Sequence, residues 1–273
     1  MRVPSNSCVL SDLLDPRYRV EADDRGVLDL APGWTRRWVM RWKTADGELV
    51  CAVRDAAEVP VEVCRPVRSF SWRTDQSHRP GLAAMVRTGR LHGFESLNER
   101  KLLLALDFLG DVQNLLSQPM TLRFTTSPTG SAAHTPDFLV VTGGGVWLLD
   151  VRPAGLIGAE DRVKFAATAE LALACGWQYI VVAGWWSQVQ ATLDALSAAR
   201  RQLQDPLGLQ ERLLAVARRE PLPFGELVGQ VPYPAIGRAH AVHLLWRRRL
   251  GMDLRFPLSD RCLVWAASRS ADR

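Results

Sequence analysis

The chain has 273 residues, of which 47% are hydrophobic and 23% are charged, and its formal net charge is +5. This composition is typical of a globular protein with a sizeable core, and no apolar run approaches the roughly 20 residues that a membrane span needs. Residues 1–19 also lack the apolar core of a signal peptide, so we expect a cytoplasmic protein with no membrane partner; the mild positive charge favours a polyanionic partner.

The cysteines and lysines limit the kinds of site that the chain can form. The five cysteines are scattered without a C-x-x-C pair, which predicts free thiols that fill apolar space, with no disulfide framework and no zinc knuckle. The basic residues are almost all arginines, and the lysines are Lys43, Lys101 and Lys164. Few lysines are therefore available for a catalytic role.

Residues 1–75 predict a small β-rich unit. Two strands, 38–43 and 48–53, flank a turn at 45–47, and 60–64 alternates like a third strand. The following segment, 69–91, is rich in Arg, Gly, Ser and His and predicts a linker or a DNA-facing loop. Within and beside it, residues 71–79 with Arg87 and Arg90 are candidates for contacts with a duplex backbone.

Residues 76–204 predict an α/β domain. A helix starts at Glu95 and ends before Gly110, and extended segments follow at 112–116 and 120–125. A hairpin of strands 135–142 and 146–152 turns at Gly143–Gly145, and a helix at 159–175 leads to an apolar strand at 177–183 that we expect to be buried on both faces. This order predicts a mixed sheet core flanked by helices, of a kind that nucleases use.

Residues 205–273 predict a winged-helix-like domain. Helices are expected at 210–219, 224–231 and 234–249, followed by a hairpin of 254–258 with 262–265. The basic run Arg247–Arg249 fits phosphate contact, and the domain fits docking to a protein partner equally well. His240 and His243 lack the spacing of a zinc pair and predict an amphipathic or DNA-facing role.

Three carboxylates define the candidate site. Asp137 opens the first strand of the 135–152 hairpin and Asp150 closes the second, so antiparallel pairing brings them to one end of the sheet. Glu99, on the preceding helix, can supply a third oxygen ligand. Each residue alone has an ordinary structural explanation, but the set predicts a site for Mg²⁺, with Mn²⁺ as an alternative, that would serve phosphodiester hydrolysis.

The same residues carry a resemblance to a known family. The segments are E-S-L-N-E-R-K-L-L-L-A-L-D-F (95–108), D-V-Q-N-L-L-S-Q-P (111–119), T-P-D-F-L-V (135–140) and L-L-D-V-R-P (148–153). Together they resemble the TnsA-type heteromeric transposase endonucleases, whose catalytic domain has the restriction-endonuclease-like fold and the motif Glu…Asp…(Glu/Gln)-x-Lys. The resemblance covers about 95–183, and more loosely the D-L-R-F-P-L-S segment near the end.

The resemblance implies roles for individual residues. Glu99 matches the helix glutamate, Asp137 the metal-binding aspartate and Asp150 the Glu/Gln position, whereas Arg152 stands where the family has lysine. Arginine stabilises phosphate charge but cannot act as a base, so either Arg152 suffices or Lys164 on the next helix substitutes for the lysine.

Two neighbours of the motif residues are further candidates. Glu95 is an alternative metal ligand one helical turn before Glu99. His134 is either a residue that orients water or an ordinary loop residue.

Three functions remain open from the sequence. The resemblance implies a DNA endonuclease subunit that cuts one strand at each transposon end, together with a DDE-type transposase and an AAA+ ATPase regulator. The alternatives are a stand-alone nuclease of the same fold and a non-catalytic DNA-binding or assembly subunit whose site has decayed.

Overall fold

A computed structural model describes residues 2–68, 80–127 and 130–268. Its strands are β1 (Val39–Thr44), β2 (Glu48–Ala52), β3 (Cys64–Arg65), β4 (Gly81–Met85), β5 (Arg90–Phe94), β6 (Val112–Ser117), β7 (Met120–Thr126), β8 (Gly130–His134), β9 (Phe138–Thr142), β10 (Gly145–Val151), β11 (Gln178–Val182), β12 (Leu222–Pro223), β13 (Leu250–Gly251) and β14 (Leu263–Ala266). Its helices are α1 (Leu10–Leu13), α2 (Ala22–Gly26), α3 (Trp34–Arg37), α4 (Leu97–Leu109), α5 (Ala159–Ala174), α6 (Ser187–Ser197), α7 (Leu209–Ala217), α8 (Phe224–Gly229) and α9 (Pro234–Trp246). Short 3-10 turns lie at Val53–Glu58, Val61–Val63 and Ala154–Leu156.

The chain forms two compact units. The larger unit combines Pro16–Leu103 with Asp111–Gly184, and the smaller unit combines the described parts of Met1–Asp15, Leu104–Gly110 and Trp185–Arg273. The sequence predicted three parts, with boundaries near residues 75 and 204. The structure differs because β1 and β7 hydrogen bond in one sheet, which joins the N-terminal strands to the α/β domain.

The larger unit holds two principal sheets. One has the order β2-β1-β7-β8 with β3 beside β1, and the other has the order β11-β10-β9-β6. In the second sheet β6, β9 and β10 are antiparallel neighbours, whereas β10 and β11 run parallel and are connected through α5. Parallel neighbours require such a crossover, so the apolar strand after α5 is placed beside β10.

Alternating burial explains why these strands form. In β1, Met40 and Trp42 are fully buried, while Arg41 and Lys43 between and after them are exposed. Helix α5 packs Ala166, Ala167 and Leu171 into the same core cluster, at the spacing of one helix face. This core supports the end of β10 where Asp150 lies.

The smaller unit is helical with a small sheet. Its core cluster includes Leu213 of α7, Phe224 of α8 and Leu244 of α9. The sheet has the order β12-β14-β13, with both pairs antiparallel. Chain order therefore gives α7, β12, α8 and α9, followed by a hairpin of β13 and β14.

One arginine connects the separate segments of the smaller unit. The Arg248 side chain donates hydrogen bonds to the carbonyl oxygens of Ser5 (3.0 Å), Leu109 (2.7 Å) and Cys8 (2.7 Å). Its guanidinium also lies 5.8 Å from the centre of the Phe108 ring. Burial lowers the pKa of Arg248, but a guanidinium remains charged at any physiological pH.

Several predicted elements are confirmed, among them the β1–β2 and β9–β10 hairpins, α4, α5 and α7 to α9. Gly110 ends α4 with a φ of 82°, a left-handed conformation suited to glycine. The five cysteines are free thiols, and burial raises the pKa of Cys8 to about 11 and that of Cys175 to about 12.

Other predicted elements are wrong. Residues 61–63 form a 3-10 turn after Pro60, leaving only Cys64–Arg65 as strand. The second half of the predicted 69–91 loop contributes to the β4–β5 hairpin, which turns at Gly89 with a φ of 65°. β8 and α6 were not predicted, and β11 is exposed at Gln178 where full burial was expected.

The predicted C-terminal hairpin of 254–258 with 262–265 is also wrong, because β14 pairs with β12 and β13. The 253–256 segment turns instead. The Asp253 carboxylate accepts hydrogen bonds from the backbone N–H groups of Val3 and Arg255, and the Leu254 N–H donates to the Val3 carbonyl. The 253–255 segment therefore bonds to Val3 and to itself, and not to β14.

Arg248, Arg249 and the two histidines of α9 contact other parts of the protein. Arg248 is the connecting residue described above, and Arg249 forms a 2.9 Å ion pair with Glu211, while Arg247 is exposed. His240 and His243 are buried, and the ring Nδ1 of His243 is 2.8 Å from the Ala199 carbonyl oxygen. The DNA-facing role considered for these histidines is therefore wrong.

Replacing Arg248 tests its connecting role. Arg248→Met leaves three carbonyl groups without their donor, and we expect the free energy of unfolding to fall by about 3 kcal/mol. Arg248→Lys keeps the charge but not the fork of donors and should lose about 2 kcal/mol. Urea denaturation measures both losses; Arg247→Met is the matched control, and an equal loss in that control would contradict the prediction.

Candidate metal centre

The β9–β10 hairpin brings two aspartates close together. Phe138 pairs with Leu149 in the antiparallel register; Asp137 directly precedes Phe138 and Asp150 directly follows Leu149. The register shifts at Asp137, whose backbone N–H donates to the Leu149 carbonyl, and the charge of Asp150 raises the pKa of Asp137. The structure therefore brings these two predicted site residues together.

Asp137 is a partly exposed carboxylate in an acidic environment. Its Oδ2 accepts a hydrogen bond from the Val151 backbone N–H at 2.7 Å, and its Oδ1 accepts a longer one from Gln118 Nε2 at 3.4 Å. Burial raises the pKa of Asp137 well above its usual value, and the negative charges of Asp150 and Glu99 raise it further. The Val151 hydrogen bond opposes this shift without cancelling it.

Asp150 is buried and held by two side chains. Its two carboxylate oxygens lie 2.9 and 3.0 Å from Nε2 of His134, and the Tyr179 hydroxyl donates to Oδ2 at 2.6 Å. Burial and the Asp150 charge hold the pKa of Tyr179 well above its usual value, so the phenol stays protonated and remains a donor. These contacts fix the orientation of the Asp150 carboxylate.

Glu99 closes the first turn of α4. Its Oε1 accepts a hydrogen bond from the Ser96 hydroxyl at 2.8 Å, its Oε2 accepts one from the Glu95 backbone N–H at 2.8 Å, and its own N–H donates to Ser96 Oγ. This is a capping-box arrangement. Glu99 is 6% exposed, and its negative charge raises the pKa of Asp137. Glu95, the alternative ligand, raises the pKa of Asp137 by less, and its Oε2 lies 3.9 Å from a guanidinium nitrogen of Arg68.

The two basic candidates have partners away from the carboxylates. Nε of Arg152 donates to Asp161 at 3.2 Å and to the Leu156 carbonyl at 3.3 Å. Lys164 lies 3.7 Å from Glu160, one helical turn before it on α5. The charges with the largest effect on the pKa of Asp137 are all acidic. The side chains of Arg152 and Lys164 thus contact Asp161, the Leu156 carbonyl and Glu160.

Sequence reasoning discounted or missed three residues of this centre. His134 was weighed mainly as a loop residue, but it ends β8 and contacts Asp150. Tyr179 was treated only as part of an apolar strand; its signal was its hydroxyl, which needs a hydrogen-bond partner when buried. Gln118 was quoted only within a motif and was given no role.

The donor set fits a divalent cation. Asp137, Asp150 and Glu99 supply the hard oxygen ligands that Mg²⁺ and Mn²⁺ prefer, and their mutual repulsion, seen in the raised pKa of Asp137, is what a bound cation relieves. The carboxylates do not form a ready ligand shell, however. Within 2–68, 80–127 and 130–268, no three His, Cys, Asp or Glu side chains are grouped tightly enough to hold a metal ion.

The chain was compared with protein-family models and with curated proteins. No family model matches it, and no curated protein matches it either. Among the described residues, no helix is long and apolar enough to cross a membrane.

The raised pKa of Asp137 predicts a pH dependence in metal-free protein. An aspartate in the unfolded chain titrates near pH 4 (about 3.9), so above that pH the folded state binds more protons than the unfolded state. The free energy of unfolding therefore falls as pH rises toward the folded-state pKa.

Asp137→Asn removes this titration. We expect the variant to gain stability relative to wild type as pH rises from 4 to 8, reaching about 1 kcal/mol or more. Denaturation in EDTA across this range measures the difference, with the exposed Asp46→Asn as the matched control. Parallel curves for wild type and Asp137→Asn would refute the prediction.

Proposed function

We propose that this protein is a Mg²⁺-dependent DNA endonuclease subunit of a heteromeric transposase, hydrolysing a phosphodiester at transposon ends. The observation that carries the proposal is the proximity of Asp137 and Asp150 at one end of the β9–β10 hairpin, where the charges of Asp150 and Glu99 raise the pKa of Asp137. Negative charges placed beside a carboxyl with a raised pKa are costly to keep in a fold, which favours a functional role.

The architecture supports the same proposal. The larger unit contains the first half of α4, the β9–β10 hairpin, α5 and β11 in the order expected for a restriction-endonuclease-like core. The smaller unit contains α7, α8 and α9 followed by the β13–β14 hairpin, which supports a winged-helix-like domain. The resemblance to the TnsA-type endonucleases implies both domains.

The residues divide the work as follows. A bound Mg²⁺ would polarise the scissile phosphate and favour ionisation of the attacking water. Val151 and Gln118 hold Asp137, while His134 and Tyr179 hold Asp150, so both carboxylates would meet a cation in fixed orientations.

DNA contact is assigned to basic residues near the site. Arg87 and Arg90 are exposed on the β4–β5 hairpin, which leads through Phe94 to the start of α4. Residues 71–79, the other predicted contact, lie outside the described residues. Double-stranded DNA at transposon ends, a DDE-type transposase and an AAA+ ATPase regulator are the partners that the resemblance implies.

A non-catalytic DNA-binding or assembly subunit is the second candidate. The observation that favours it is that Arg152, which stands at the lysine position, pairs with Asp161. In addition, the Asp150 carboxylate is already engaged by His134 and Tyr179. Such a subunit would bind DNA and partners without cutting.

Cleavage of a labelled transposon-end duplex, with the partner transposase and ATPase present, tests the proposal. We expect strand cleavage in Mg²⁺ that EDTA abolishes, and Asp137→Asn and Asp150→Asn should reduce it by about 100-fold or more because each removes a cation ligand. Asp46→Asn should cleave like wild type.

The other outcomes separate the alternatives. Cleavage without any partner would favour a stand-alone nuclease. If the protein binds the duplex without cutting it, and calorimetry detects no Mg²⁺ binding even with DNA present, the protein is a non-catalytic subunit and the nuclease proposal fails.

A further inference from the structure

Gln118 occupies a strained position beside the carboxylates. It lies between β6 and β7, is 1% exposed, and has a φ of 48° although it is not glycine. The left-handed region is disfavoured for residues with a Cβ atom, and such residues persist only where the surroundings hold them.

The surroundings hold Gln118 through Asp137. The Gln118 backbone N–H donates to the Asp137 carbonyl at 2.7 Å, and the Gln118 carbonyl accepts from the Val67 N–H at 2.9 Å. A third bond runs from Nε2 to Oδ1 of Asp137. Backbone and side chain of Gln118 are thus both tied to the same aspartate.

The other end of the amide is unsatisfied. Oε1 of Gln118 is buried and has no hydrogen-bond partner in the structure. In the observed orientation the amide directs Nε2 toward Oδ1 of Asp137 and leaves Oε1 without a donor. Buried acceptors without partners are uncommon in folded proteins, and a bound ion or water is one way to satisfy them.

We propose that Oε1 of Gln118 is an additional oxygen ligand of the divalent cation bound by Asp137, an inference that rests on the proposed function. Hard divalent cations accept carbonyl oxygens of amides as well as carboxylates. A neutral amide adds an oxygen ligand beside Asp137 without adding a further negative charge.

Calorimetric titration of the full chain with Mn²⁺ alone tests this assignment without measuring cleavage. Gln118→Met replaces the amide with an apolar side chain of similar length, and we expect the Mn²⁺ affinity to fall about tenfold or more. Gln113→Met makes the same change at an exposed position of β6 and should bind Mn²⁺ like wild type.

Gln118→Glu separates ligation from a purely structural role. It keeps an oxygen at the site and adds a negative charge, so we expect Mn²⁺ affinity at least equal to wild type and a larger rise in melting temperature on adding Mn²⁺. A packing or hydrogen-bonding role would instead make the glutamate variant bind more weakly. If Gln118→Met does not fold, the comparison of Gln118→Glu with wild type still shows whether Gln118 is a ligand.

The outcomes distinguish this inference from the proposed function. If wild type binds Mn²⁺ and Asp137→Asn does not, while Gln118→Met binds like wild type, Gln118 is not a ligand and the nuclease proposal stands. If the glutamate variant binds tenfold more weakly than wild type, the ligand assignment is also overturned. If wild type binds no Mn²⁺ with or without DNA, both proposals fail together.

Discussion

The antiparallel register of β9 and β10 is the constraint on which the candidate centre depends. It places Asp137 just before the Phe138–Leu149 pair and Asp150 just after it, and the Val151 N–H donates to the Asp137 carboxylate. A slip of one residue would send one of these side chains to the opposite face of the sheet. The register is fixed by apolar residues of the same strands, since Leu139 and Leu148 pair with each other and are fully buried. Core packing therefore determines where the charges meet.

Folding and ligand binding share the same carboxylates. Glu99 completes the start of α4, and Asp150 satisfies a buried tyrosine hydroxyl and a histidine. Any cation at this centre must compete with these hydrogen bonds or accept carboxylates that they have already oriented. Asp137 is the most accessible of the three, because it keeps some solvent exposure while Asp150 and Glu99 are buried. The three carboxylates therefore differ in how readily each could bind a cation at this centre.

The sequence predicted the parts of the site that are local in the chain. Strand patterns separated by a glycine turn predicted the β9–β10 hairpin. That hairpin places Asp137 and Asp150 at the same end of the sheet. His134, Tyr179 and Gln118 were beyond such reasoning, because they reach the centre from β8, from β11 and from the turn before β7. β8 itself, Gly-Ser-Ala-Ala-His, has no β-branched residue to signal a strand. The direction of Arg152 depends on Asp161, a tertiary contact that no spacing rule supplies.

The discontinuity of the smaller unit has a consequence for biosynthesis. Arg248 takes its acceptors from Ser5, Cys8 and Leu109, so the first and last segments of this unit depend on each other across most of the chain. During translation, Val3 and Leu13 emerge long before the helices that bury them. The larger unit is complete at Gly184 and can fold on the ribosome while the first segment still waits for its partners. The segment that holds Val3 and Leu13 therefore stays without its packing partners until Trp185–Arg273 has been synthesised.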